Sequence, residues 1–312
     1  MKNILEAFWL RPETALWRSR DIQVIRESDF KFNGKCLDMG GGDGIFTFLL
    51  NGGRLNLEFD AYYFASNLDK HVKGKDIYDS EIKDISNLNK IVLEKPEKID
   101  ILNFDHKVNL LEKSKLLDLY SQFINGDANK FLKIKNNTFD SIFSNIVYWI
   151  NDSTNLLNEL SRIGKPNSKL LFVVPNSRFL EKSNLFKYRN FKFEKKFLEI
   201  LDRGRYTANF NTIKSKEEWT SIIEETNWRI LENKSYLSDD LISYWDIALR
   251  PYSPFLIDAF NKLEPKDRLR IKKNYIKDLY PIAKGFLDAQ KELEEKNGCN
   301  FELFYCTNEK EN

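Results

Sequence analysis

Apolar residues recur at helical spacing through the start of the chain, where Leu5, Phe8, Trp9, Leu16, Trp17, Ile22, Val24 and Ile25 fall within Ile4 to Ile25. Pro12 suits the first turn of a second helix there. A short apolar run, Lys35-Cys36-Leu37-Asp38-Met39, then meets Gly40-Gly41-Gly42-Asp43-Gly44, and Ile45 to Leu50 reads as a buried helix. From Asn51 to about Lys98 neither the strand nor the helix period holds, and the segment reads as an insertion. Beyond it the periods alternate. Ile101 to Phe104 predicts a strand ending in Asp105, and Leu110 to Tyr120 a helix. Phe123-Ile124 predicts a short strand before Gly126-Asp127-Ala128, and Ser141 to Val147 a strand opened by Phe139-Asp140. Asp152 to Arg162 predicts a helix, Gly164 to Asn167 a turn, and Lys169 to Val174 a buried strand stopped by Pro175. Strands alternating with helices point to a parallel α/β sheet.

The second half is looser. Phe179 to Ile213 is rich in aromatic and basic residues, and Ser215-Lys216-Glu217-Glu218 is a capping box that starts a helix. Arg229 to Leu237 predicts a strand. Asp239 to Glu295 is largely helical, interrupted by Pro251, Pro254, Pro265 and Pro281, and Phe301 to Cys306 alternates as a final strand does. The mixed basic stretch Lys266 to Lys277 reads as a solvated helix face. Residues 1–34 form a helical cap and 35–312 one domain, with embellishments at 178–214 and 239–298.

Composition narrows the function. With 49 Lys and Arg against 47 Asp and Glu, the formal charge is +2, which argues against a dedicated nucleic-acid binder. No apolar stretch is long enough for a membrane span. The first twenty residues lack the apolar run of a signal peptide, and three cysteines at no metal-ligand spacing suggest neither disulfides nor zinc. A cytoplasmic protein without a metal site is expected. Two histidines leave little room for serial histidine acid–base chemistry. The aromatic share of 14% gathers outside the α/β stretch, near Phe59 to Phe64, Phe179 to Phe210 and Tyr244 to Tyr252.

A glycine turn after a buried strand lets a ligand approach the backbone. The dinucleotide fingerprint would require a third glycine at position 45, which is Ile45, so that pattern fails. An acid two residues before the first glycine would repel a pyrophosphate and suit a cationic amino-acid group. Leu37-Asp38-Met39-Gly40-Gly41-Gly42-Asp43-Gly44 resembles, without a gap, the first motif of the class I S-adenosylmethionine-dependent methyltransferases. The resemblance continues in order through Asp105, Gly126-Asp127-Ala128, Phe139 to Asn145 and Gly164 to Leu170, where Asn167 and Ser168 replace the usual glycines. It covers about Lys35 to Asn176 and the last strand.

The resemblance implies a Rossmann-like, mostly parallel seven-stranded sheet with helices on both faces, an insertion before its second strand and a helical C-terminal embellishment. It implies that S-adenosylmethionine binds and S-adenosylhomocysteine leaves. The implied cofactor residues are Asp38, Gly40, Gly41, Gly42, Gly44, Asp105, His106, Asp127, Ala128 and Asn145. Asp38 would orient the methionine ammonium, Asp105 the ribose and Asp127 the adenine. Asp60 competes for the ribose, since it follows Asp38 by 22 residues, but Asp105 precedes Asp127 by the same distance and is preferred.

On the acceptor side, Tyr148 and Trp149 follow the fourth strand, and Arg11 and Arg18 lie on helices that in this family often cover the cleft. Tyr244 and Arg250 belong to an aromatic and arginine cluster; for each of these residues singly, packing is the simpler reading. Tyr148 and His106 are the candidate bases. The expected function is methyl transfer to a small molecule, a sugar or secondary metabolite, with O-methylation preferred. A non-catalytic binding or regulatory subunit of the same fold is the alternative. A nucleic-acid methyltransferase is disfavoured by the charge balance and by Ile146-Val147-Tyr148 after Asn145, where an Asn-Pro-Pro-Tyr-type motif would stand.

Overall fold

A computed structural model describes residues 1–65, 82, 90–184 and 211–311. Helices α1 (Lys2–Ala7) and α2 (Pro12–Glu27) come first, the second opening on its proline. They are followed by β1 (Lys35–Met39), α3 (Ile45–Leu50) and an antiparallel ribbon of β2 (Arg54–Leu55) and β3 (Val92–Glu94). Then come β4 (Asp100–Asp105), α4 (Val108–Lys115), β5 (Gln122–Asn125) and β6 (Phe139–Ser144). Next are α5 (Ser153–Ile163), β7 (Gly164–Pro175), α6 (Ser177–Lys182), α7 (Lys216–Glu224) and β8 (Trp228–Ser238). Helices α8 (Asp239–Ile247), α9 (Ser253–Asn261), α10 (Pro265–Asp288) and α11 (Gln290–Asn297) lead into β9 (Cys299–Asn308).

Seven strands form one sheet in the order β5-β4-β1-β6-β7-β9-β8. Only β9 opposes its neighbours, running antiparallel between β7 and β8. Both faces are covered, so β1 is apolar on both: Cys36 faces one core cluster, while Leu37 and Met39 face the other. Helix α5 packs Leu156, Leu157, Leu160 and Ile163 on the second face, joined by Trp219 and Ile223 of α7. The first face takes α1, α2, α3 and the C-terminal helices through Leu5, Trp9, Leu16, Trp17, Phe48, Ile257 and Ile276. This is the expected α/β architecture, with the chain leaving the sheet after α3 and returning at β4. Parts of the expected 51–98 and 178–214 segments lie outside the described residues. No helix among the described residues is long and apolar enough to cross a membrane.

Four expectations change. Strand β6 stops at Ser144, and Val147–Trp149 is a 3₁₀ turn. The Ser144 hydroxyl donates to the Met39 carbonyl and accepts from the Ile146 amide, which turns the chain off the sheet. Gly164 to Asn167 lies within β7 as an irregularity, with Asn167 at φ 61° and a register shift opposite Phe139 and Ser141. The helix after β4 ends at Lys115, and Asp118 takes a left-handed conformation three residues on. Pro281 lies inside α10 without ending it.

The basic stretch Lys266 to Lys277 is the larger correction. Arg268, Lys272 and Ile276 recur every four residues on α10, and that face is buried. Asp60 draws them in: its carboxylate accepts from the Trp9 indole at 2.8 Å, the Tyr62 amide at 3.0 Å and Lys272 at 3.3 Å, and it forms an ion pair with Arg268 at 2.8 Å. Those charges hold the Asp60 carboxyl below its usual range despite complete burial, whose desolvation pushes the other way. Arg20 of α2 clasps Glu294 of α11 through two nitrogens, at 2.7 and 2.6 Å. Tyr236 of β8 donates to Asp21 of α2 at 2.8 Å. The N-terminal helices are thus bound to the C-terminal ones by buried charge.

Removing one partner of a buried pair leaves the other charge uncompensated. Lys272→Met should therefore cost about 3 kcal/mol in urea unfolding, while Lys273→Met, one residue on and exposed, stays within about 0.5 kcal/mol. Equal midpoints for the two variants would show that the Asp60 cluster does not hold the cap.

Candidate active site

Strands β1, β4, β5 and β6 lie side by side and parallel, and they end level. Met39 pairs with Phe104 and Ser144, and Asp105 with Asn125. The order of strands reverses between β1 and β6, the place where open α/β sheets bind ligands beyond the carboxyl ends. Every expected cofactor residue follows or ends one of these four strands.

Asp38 sits behind the glycine turn, 1% exposed. Its Oδ2 accepts from the Thr47 hydroxyl of α3 and from the Tyr120 hydroxyl, both at 2.6 Å. Burial pushes the Asp38 carboxyl up to about 6, the two hydroxyls draw it down, and the nearby Asp105 charge adds to the rise. Tyr120 is held well above the phenol range by burial and by Asp38 itself.

The turn is pinned at Gly40, whose amide donates to the Phe104 carbonyl at 2.7 Å, and it closes where the Gly44 amide donates to the Gly41 carbonyl at 2.9 Å. Its glycines serve two purposes. Gly44 is left-handed at φ 75°, and a Cβ there would lie 2.6 Å from the Tyr120 ring, which Asp38 holds in place. Gly42 is also left-handed at φ 56°, but a Cβ there would meet nothing nearer than Leu110 at 3.8 Å and the Asp105 carboxylate at 3.9 Å. Gly44 is needed for packing. Gly42 has room for a Cβ in ordinary contact with Leu110 and the Asp105 carboxylate.

That acid is fixed at both oxygens. Asp105 Oδ2 accepts from the Gly42 amide at 3.1 Å and Oδ1 from the Lys107 amide at 2.8 Å. His106 stands beside it on the rim, with Nδ1 3.4 Å from Asp105 Oδ1 and its side chain 69% exposed. Beyond β5, Asp127 Oδ1 accepts from the Asn129 amide at 3.0 Å and side-chain nitrogen at 3.1 Å, bonds that hold its carboxyl below the usual range. Ala128 is buried beneath it, and Asn145 is half-buried just past β6.

Residues 95–172 match the family model described as "Methyltransferase domain", a span running from just before β4 to within β7. Over that span the chain resembles a methyltransferase domain, and the strand order around it is that of the Rossmann-like α/β fold expected of the class I S-adenosylmethionine-dependent enzymes. The expected cofactor, S-adenosylmethionine, would meet the Gly42 backbone where it is held by Asp105 at the strand ends. No curated protein matches the chain. Solved structures similar to it include an S-adenosylmethionine-dependent methyltransferase from Mesorhizobium loti, at 11% identity over 91% of this chain and 96% of that one, TM-score 0.46. The YcgJ protein from Bacillus subtilis is 13% identical over 93% and 97%, TM-score 0.43. A methyltransferase from Aquifex aeolicus is 17% identical over 74% and 85%, TM-score 0.39. Likenesses this distant say nothing about substrate.

The two ribose candidates lie in different places. Asp105 ends the strand next to β1, whereas Asp60 is enclosed in the charge cluster beneath the cap. The acceptor-side residues fall into several places. Arg18 lies with its guanidinium 5.0 Å from the Phe46 ring, just past the turn, and pairs with the buried Asp21 at 3.1 Å. Tyr148 is buried against Phe301, and Trp149 is more exposed beside it. Arg11 pairs with Glu13, while Tyr244 and Arg250 belong to α8 and the turn after it. Arg11 Nε reaches Glu13 Oε1 at 3.2 Å, and Arg250 lies 4.1 Å over Trp245 and 3.8 Å from Asp246. Sequence reasoning missed Thr47 and Tyr120 because nothing local marks their shared carboxylate. It missed Glu13 because an acid in a first helical turn reads as an exposed partner of the helix dipole.

Two outcomes test this geometry. The raised Asp38 pKa means that between about pH 4 and 6 the folded chain keeps a proton that the unfolded chain releases. Stability should therefore fall by about 3 kcal/mol as pH rises through that window and stay level above it. Asp38→Asn keeps an oxygen for both hydroxyls and should flatten that decline in urea unfolding followed from pH 4 to 7; superimposable profiles would refute it. Separately, Gly42→Ala should cost about 1–2 kcal/mol, the price of the left-handed conformation alone. Gly44→Ala should cost at least about 2 kcal/mol more, because Tyr120 cannot yield. Thermal unfolding of the two variants checks the order.

Proposed function

We propose that the enzyme methylates a hydroxyl of a small-molecule acceptor, a sugar or other secondary metabolite, with S-adenosylmethionine lying across the ends of β1, β4, β5 and β6. The Gly42 backbone against the doubly held Asp105 carboxylate, at the carboxyl ends of β1 and β4, carries this reading. Asp105 takes the ribose, with His106 at its rim. Asp127 and Ala128 receive the adenine, Asn145 lines the floor, and the backbone from Gly40 through Gly41 and Gly42 to Gly44 receives the methionine part. Asp38 acts from behind, holding that turn in shape. Bound sulfonium supplies an already electrophilic methyl group, so the protein's task is alignment and exclusion of water.

Arg11 and Arg18 of the helical cap of residues 1–34, with Tyr148, Trp149, Tyr244 and Arg250, make up the acceptor side. Tyr148 and His106 remain the candidate bases for the acceptor proton, His106 the more accessible of the two. A small acceptor is favoured over a nucleic acid by the charge balance of +2. Free thiols at Cys36, Cys299 and Cys306 accord with a cytoplasmic setting.

Calorimetry with S-adenosylhomocysteine tests the cofactor assignment. Asp105→Ala should weaken binding by about 2–3 kcal/mol, roughly 30- to 150-fold, since hydrogen bonds to a charged acceptor are lost. Gly42→Ala, which adds a Cβ next to the Asp105 carboxylate, should weaken it comparably while the protein stays folded. Affinity unchanged in both variants would place the cofactor elsewhere.

A further inference from the structure

The loop that carries Asp127 runs from β5 to β6 without a helix or strand of its own. A carboxylate on such a loop directs a ligand only if its own direction is fixed, since ordering a mobile side chain on binding offsets what the contact contributes. Asp127 is fixed by one neighbour. Its Oδ1 accepts from the Asn129 backbone amide at 3.0 Å and from Asn129 Nδ2 at 3.1 Å. Among the described residues its Oδ2 meets only Lys130 Nζ, at 3.4 Å, on a side chain that is 77% exposed. One oxygen is held, and the other faces a solvated ammonium that a ligand's donor can displace.

Asn129 is itself held from across the strand ends. Its Oδ1 accepts from the Asn151 amide at 3.1 Å, just past the turn Val147–Trp149 that follows β6. Strands β5 and β6 are separated in the sheet by β4 and β1, so this one side chain joins the two loops that flank the carboxyl ends of those strands. Ala128, Val147 and Ile150 belong to one apolar cluster, so the two loops also share a core. The place calls for an amide. A carboxamide accepts from a backbone N–H with its oxygen while donating to a carboxylate with its nitrogen, whereas a carboxylate at 129 could do only the first.

We propose that Asn129 is a positioning residue for the methyl donor. By holding Asp127 Oδ1 and the Asn151 amide at once, it turns Asp127 Oδ2 toward the exocyclic amino group of the adenine and makes the site select the base by that group. The inference rests on the reading of Asp127 as the adenine acceptor and adds the residue that gives this acceptor its direction.

Calorimetry of the full chain with S-adenosylhomocysteine and with its deamino analogue, whose purine lacks the exocyclic amino group, tests it. Wild type should bind S-adenosylhomocysteine about tenfold more tightly than the analogue, because a site built to accept that hydrogen is left unanswered without it. Asn129→Asp keeps the size of the side chain and an oxygen for the Asn151 amide but sets a second carboxylate against Asp127. Asn129→Ala removes the donor and adds no charge. In both variants the preference should fall below about threefold. Position 129 is exposed, so both variants should fold, and a loss of stability alone weakens the two ligands by the same factor. A preference that persists unchanged in either variant would overturn the role of Asn129 alone. Wild type binding both ligands equally would remove the adenine reading of Asp127 and this inference with it. Failure of wild type to bind S-adenosylhomocysteine would remove the cofactor assignment as well.

Discussion

The site depends on one buried carboxylate. Asp38 is removed from water at the end of β1, and two hydroxyls, one from α3 and one from the segment before β5, close on the same oxygen. Those short bonds tie three pieces of chain that are far apart in sequence, and they fix the Tyr120 ring against Gly44. Only then is the turn forced into its succession of left-handed glycines, which leaves Gly42 bare toward Asp105. Burial holds the carboxyl near 6, which is the cost of placing an acid there, and the hydroxyl donors limit that cost.

Charge is used differently on the two sides of the cleft. Beneath the cap, Asp60, Lys272, Arg268, Arg20 and Glu294 are fully or nearly fully buried and paired. Such pairs add little net stability over apolar packing, but each is intolerant of losing a partner, so they specify where the cap sits. Surface pairs such as Lys296 with Glu292 specify nothing comparable, being solvated at both ends. Along the same cap Glu13 is buried but incompletely partnered.

Scarcity of histidine fits this chemistry. A methyl donor that is already activated asks the protein for geometry, and geometry is what aligned strand ends provide. His106 lies on the exposed rim, while the carboxylates and the glycine backbone occupy the interior of the site. The aromatic excess also finds its place. Trp17, Phe179, Trp245, Phe301 and Tyr236 form edge-to-face contacts beneath the cap, so much of it is core, with Tyr244 reaching toward solvent.

What the sequence determined by itself was local: an acid and alternating glycines after an apolar run, an acid at the end of the next strand, and the alternation of periods that specifies a parallel sheet. These are legible because backbone conformation and hydrophobic period act over a few residues. Tertiary structure alone decided the rest. Asp60 and Asp105 each stand at a 22-residue spacing from a motif acid, and only the pairing of β4 with β1 separates them. Lys266 to Lys277 has the composition of a solvated face, and one side of it, Arg268 and Lys272, is buried because Asp60, more than two hundred residues earlier, waits beneath it. Glu13 reads as an ordinary first-turn acid, and only the packing of the cap buries it completely against Arg11. The physical reason is the same in each case: the energy of a charge is set by the solvent it loses and the partners it meets, and both are decided by chain segments remote in sequence.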